Sequence, residues 1–131
     1  MPELEGVNHV ALTVRDIEAS RAWYERLFGG AVLWQETHEN GHSMLAMLVP
    51  PFAIGLHTHP STADGDRFDE ARVGLDHVSF EVPNRAALDE WAAHLEALGI
   101  EHSPITEAPY GTVLVFRDPD NIQLELFALP G

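Results

Sequence analysis

One feature limits what this chain can fold into more than any other: it repeats itself. The segment HVALTVRDIEASRAWYERL, starting at His9, aligns without a gap on HVSFEVPNRAALDEWAAHL, starting at His77. Identical residues fall at His9/His77, Val10/Val78, Val14/Val82, Ala19/Ala87, Trp23/Trp91 and Leu27/Leu95. Self-similarity over such a stretch calls for two copies of one supersecondary unit. Each copy opens with period-two alternation, because Val10, Leu12 and Val14, like Val78, Phe80 and Val82, fall on one face of a strand. Each then passes a polar residue able to cap a helix N-terminus, Asp16 or Asn84, and enters a helical pattern. Ile17, Tyr24, Leu27 and Phe28 form the apolar stripe of the first helix, and Leu88, Trp91, Leu95 and Leu98 that of the second. Gly29-Gly30 and Gly99 supply residues suited to a helix C-terminus.

Three strand-like runs follow each helix. They are AVLWQETH, HSMLAMLVP and FAIGLHTH in the first copy, and a short IEHSPI, then GTVLVFRD and NIQLELFAL in the second. DPDN, at 118–121, provides the turn between the last two. The order β-α-β-β-β therefore occurs twice, and the fold class expected is α+β. One domain spans 1–131, with a first module over 6–58, a polar, acidic linker over 59–74 and a second module over 75–129. If the valine faces pack under the helices, then His9, Ala11, Thr13 and His77, Ser79, Glu81 line the opposite, helix-free faces. On the closing strands Ile54, Leu56, Ile122 and Leu124 are expected to be buried. Gly55, His57, Gln123, Glu125 and Phe127 then point to the helix-free side, where a ligand could sit. Trp23 and Trp91, at equivalent helix positions, are expected in the core.

The stretch FAIGLHTHP carries His57 and His59, which share a strand face. Setting Ile54-Gly55-Leu56-His57 over Ile122-Gln123-Leu124-Glu125 places His57 over Glu125. His9 to His57 and His77 to Glu125 are then both separations of 48 residues. Each module thus offers a histidine early in its first strand and a metal-capable residue in its last. Cysteine is absent, so any metal must be held by nitrogen and oxygen. His38, His42, His94 and His102 fall at strand ends or on a helix face and are expected to be solvated.

The paired modules, the openings NHVALTV and DHVSFEV and the closing FRDPDNIQLELF resemble the vicinal oxygen chelate superfamily. This group contains glyoxalase, bleomycin-resistance protein and extradiol dioxygenase relatives, and the resemblance covers almost the whole chain. It implies modules whose sheets curve around a cleft with helices outside, and often a homodimer. It also implies metal ligands at the first and last strands of each module, which here are His9, His57, His77 and Glu125. Such a set suits one divalent ion, Zn, Ni, Co, Fe or Mn. A substrate with neighbouring oxygens could chelate the ion while it stabilises an enolate, and Glu125 could double as the catalytic base. Phe127, Gln123, Tyr110 and His59 are candidate substrate contacts. Glyoxalase-type relatives commonly carry a carboxylate or amide where this chain has His57, or Gly55 after a two-residue slip, which weakens a lactoylglutathione-lyase reading. The alternatives are a metal-free small-molecule or antibiotic-binding protein and an Fe(II) extradiol-type dioxygenase.

The formal charge of −14, with seven basic residues that are all arginine, disfavours nucleic acid, which needs a basic patch. It also disfavours anionic substrates that want arginine or lysine clamps. No apolar run approaches the length of a membrane span and no leader pattern opens the chain, so the expectation is a cytoplasmic protein.

Overall fold

The computed structural model describes residues 1–131. The chain divides into two compact units, Met1–Asp66 and Arg67–Gly131. The first contains β1 (His9–Thr13), α1 (Ile17–Phe28), β2 (Ala31–Thr37), β3 (Ser43–Val49) and β4 (Phe52–Thr58). The second contains β5 (Val78–Val82), α2 (Arg85–Ala97), β6 (Thr106–Ala108), β7 (Gly111–Arg117) and β8 (Gln123–Ala128). Each unit is a βαβββ module of the α+β class with one four-stranded mixed sheet. The strand orders are β1-β4-β3-β2 and β5-β8-β7-β6. In each, the first strand runs parallel to the last and the remaining pairs are antiparallel. A parallel pair needs a crossover, and the helix supplies part of it.

Local chemistry sets the helix ends. The side chains of Asp16 and Asn84 accept from the backbone N–H of Ala19 and Ala87 at 3.1 and 3.0 Å, satisfying donors that the first turn leaves open. Gly29 closes α1 in the left-handed region, at φ 64°, and donates its N–H to Glu25 O. The helices bury Tyr24, Leu27, Leu88 and Leu95. The sheets meet them with Leu12, Ile54 and Leu56 in one unit, and Phe80, Leu124 and Leu126 in the other. Full burial of one such aliphatic side chain contributes about 1.5–3 kcal/mol, so this face fixes which way every strand residue points. Trp23 and Trp91 are half-buried, flanking the core instead of filling it. In α1 the neighbouring Tyr24 is fully buried, with its ring edge-on to Trp23 at 4.8 Å between centroids.

One strand expectation is corrected. The segment IEHSPI makes no ladder; β6 comes later, at Thr106–Ala108. Pro104 has no N–H to donate to a ladder. His102 makes a single bridge to Phe116, and Ser103 bonds Val115 through both its backbone and its hydroxyl, at 2.8 and 2.9 Å. The linker also divides. From Arg67 onward it belongs to the second unit, where Phe68 N–H donates to Asp120 O and Asn121 Nδ2 donates to Phe68 O. The DPDN turn that receives it is organised by buried Asp118, whose Oδ1 accepts from Asp120 and Ile122 N–H at 2.8 Å each.

Candidate metal centre

In the second unit, pairing of β5 with β8 sets Ser79 opposite Glu125 on the helix-free face. The Ser79 hydroxyl donates to Glu125 Oε1 at 2.8 Å, fixing one carboxylate oxygen and leaving the other for a ligand or a proton. His77 Nε2 stands 3.9 Å from the same Oε1. His77 Nδ1 lies 2.7 Å from Asp76 Oδ1. A carboxylate only accepts, so Nδ1 carries a proton and Nε2 is the nitrogen turned toward Glu125.

Asp76 is itself held. Gln123 Nε2 donates to its Oδ1 and its backbone oxygen, both at 3.2 Å, while Gln123 Oε1 accepts from Arg117 Nη2 at 3.2 Å. Arg117 then makes a two-pronged pair with Glu70, at 2.8 and 2.9 Å. The guanidinium bonds hold the Glu70 carboxyl down at about 2. Gln123, expected to touch substrate, is thus engaged through both ends of its amide. Ser79 and Asp76 are the residues that sequence reasoning did not single out as supports. The signal available for Asp76 was its place directly before the repeated histidine, matched by Asn8 in the first copy.

The first unit repeats half of this arrangement. His9 Nδ1 lies 2.8 Å from Asn8 Oδ1, again leaving Nε2 as the free nitrogen. The closing strand departs from the ungapped alignment. Thr13 pairs with His57 and Ala11 with Gly55, whereas Ser79, the counterpart of Ala11, pairs with Glu125. Gly55 is therefore the structural counterpart of Glu125, and His57 that of Phe127. The equal separations of 48 residues mislead because the second unit carries two more residues between its first and last strands.

His57 nevertheless reaches the vacated position. A Cβ built on Gly55 would meet His57 Nε2 and the Ala11 methyl at 3.4 Å each, so the imidazole lies back over the glycine. Burial pushes the His57 pKa down, and nearby His42, His59 and His9 add to the effect. The shift favours the neutral imidazole, the form that binds metals.

Of the other candidates, Tyr110 is exposed and stacks on half-buried Phe127 at 6.3 Å between centroids. Gly111 permits this contact, since a Cβ there would collide with the Phe127 ring and its φ is 155°. Two histidines expected to be solvated are not. His42 is half-buried with its Nε2 2.9 Å from His57 Nδ1. His102 is half-buried between Ser103 O, at 2.7 Å, and Glu96, at 3.0 Å.

A family model described as the Glyoxalase/Bleomycin resistance protein/Dioxygenase superfamily matches residues 6–126. The YwkD protein of Bacillus subtilis (strain 168) is 33% identical over 95% of this chain and 97% of its own length. Biphenyl-2,3-diol 1,2-dioxygenase 3 of Rhodococcus globerulus is 26% identical over 93% of this chain and 64% of its own. Among solved structures, a glyoxylase/bleomycin resistance protein/dioxygenase domain from Frankia sp. EAN1pec superposes with a TM-score of 0.87 at 37% identity, covering 98% of this chain and 94% of that one. The fosfomycin resistance protein FosX of Listeria monocytogenes, in complex with Mn(II) and sulfate, superposes with a TM-score of 0.72 at 22% identity, covering 98% and 95%, and so shares the fold.

Proposed function

Since the chain belongs to the Glyoxalase/Bleomycin resistance protein/Dioxygenase superfamily, we propose that it is a divalent-metal enzyme acting on a small substrate with neighbouring oxygens. The observation that carries this reading is the matched preparation of His9 and His77. Each has its Nδ1 tied to a side-chain oxygen of the preceding residue, which presents Nε2 as the ligand atom. That donor chemistry fits Zn, Ni, Co, Fe(II) or Mn. The ligands proposed are His77 and Glu125 on the second unit, and His9 and His57 on the first. When bound, the ion would polarise substrate oxygens as a Lewis acid and stabilise enolate charge.

The chain's own groups do the remainder. Glu125 takes or returns a substrate proton on the oxygen that Ser79 does not hold. Asp76 and Asn8 keep the imidazoles in one tautomer and one orientation. Tyr110 and Phe127 offer an apolar wall to the substrate.

Elemental analysis of protein purified without added metal or chelator tests the proposal, with His77→Ala and Glu125→Gln alongside. The expected result is a bound divalent ion in the wild type that both changes diminish. Bound metal that neither change diminishes would overturn this ligand set, and a wild type that holds no metal would favour the metal-free binding protein. The likeness to a biphenyl-2,3-diol dioxygenase over 93% of the chain favours a second reading, an Fe(II) extradiol dioxygenase. Iron retention with oxygen uptake on catechols would select it.

A further inference from the structure

Strand register gathers histidines at one end of the first sheet. The β3–β4 ladder pairs Met44 with His57 and ends at Ser43 with Thr58, and just beyond it the rings of His42 and His59 lie side by side. His57 and His59 share a face by strand alternation. On the far side of the hairpin, His38 N–H donates to His42 O at 2.8 Å, which brings a fourth ring alongside. The rings stack nearly parallel, His42 with His59 at 4.6 Å and with His57 at 5.1 Å between centroids. One ring nitrogen from each of His42, His57 and His59 lies within 4.8 Å of the others.

We propose that His42, His57 and His59 form a metal site of their own, contained in the first unit, for a borderline divalent ion such as Zn2+, Ni2+, Co2+ or Cu2+. His42 Nε2 and His57 Nδ1 are 2.9 Å apart. That contact is a hydrogen bond. An ion that displaced its proton would need the two nitrogens to separate only to about 3.3 Å, the spacing of adjacent nitrogens each about 2.0–2.1 Å from a tetrahedral ion. Three imidazoles without a thiolate or carboxylate select this class of metal. His38 stays outside the set because Glu36 holds its Nε2 at 3.0 Å. His59 also lines a polar depression of about 370 Å3 with Arg15, Thr58 and Asp64, so a small ion can reach this histidine from solvent.

The site needs none of His9, His77 or Glu125, so it stands whether or not the function proposed above does. It meets that set at His57, where it takes Nδ1 and leaves Nε2 over Gly55. An imidazole that keeps one proton serves one ion at a time. Filling this site therefore withdraws His57 from the other.

Zn2+ titration of metal-free protein, followed by the ring nitrogen resonances of the histidines, tests the assignment without any variant. His42 and His59 signals that shift on Zn2+ addition support it; signals that stay fixed through saturation overturn it. In parallel, Co2+ binding is compared among the wild type, His42→Gln with His59→Gln, and Glu125→Gln. The expected result is retention of this binding event in Glu125→Gln and a loss of tenfold or more in the double variant, with unchanged far-UV circular dichroism. Equal affinity and stoichiometry in the double variant would sink the proposal. Loss of every binding event in Glu125→Gln would do the same and would assign the metal to the other ligand set.

Discussion

Asp76 shows how much a residue outside the proposed ligand set can control. It accepts from His77 Nδ1 at 2.7 Å and is held by the Gln123 amide, so it sets which nitrogen of His77 faces a ligand. Such supports typically govern metal affinity by 10–100-fold, and Asp76→Ala is expected to weaken divalent-ion binding by roughly that factor. Competition against a chromophoric chelator measures it, and thermal unfolding of the same variant should move little because Asp76 is exposed. His77 was legible as a candidate from its place in the repeat, and Glu125 from its place on the helix-free face of the closing strand. Asp76 was visible only as a neighbour, since nothing in residue order says that its carboxylate turns back onto the ring beside it.

At the scale of elements, the contrast between β4 and β8 is the informative one. Their apolar faces were read correctly, and Ile54, Leu56, Ile122 and Leu124 are all buried. Burial fixes alternation, however, and a slip of two residues preserves alternation. Alternation alone therefore cannot tell Gly55 from His57 as the counterpart of Glu125 in the other module, and the ladder decides for Gly55. A reciprocal experiment follows. His57→Ala should lower metal affinity at the proposed centre, and adding Gly55→Glu to that variant should restore it by placing a carboxylate where the second unit has one. The affinity of the double variant, set against His57→Ala alone, is the readout. With His57 shortened, the nearest remaining neighbour of the new Cβ is the Ala11 methyl at 3.4 Å, a tight but tolerable contact. The β6 segment teaches the complementary lesson: a run with strand composition loses its ladder where Pro104 removes the donor.

At the scale of the whole molecule, the acidic balance of −14 makes the few arginines matter. Arg117 ties the second half of the linker, through Glu70, to the strand that also carries the Gln123–Asp76 support. The folded chain holds the Glu70 carboxyl at about 2, below its ordinary 4.5. Its contribution to stability is thus complete above about pH 4.5 and is lost as pH falls toward 2. Urea unfolding of wild type and Glu70→Gln should differ at pH 6, converge below pH 4.5 and draw closer in high salt, because the pair is solvent-accessible. No helix is long and apolar enough to cross a membrane. Residue order by itself determined the duplicated βαβββ plan, the helix caps, the buried strand faces and the repeated histidine, because each depends on short-range periodicity and local capping chemistry. Tertiary structure alone decided which residue of the first module is the counterpart of Glu125, the gathering of His42 with His57 and His59, and the chain of bonds from Glu70 to His77. Those depend on ladder register and on side-chain rotamers, and both are settled only when distant strands pair.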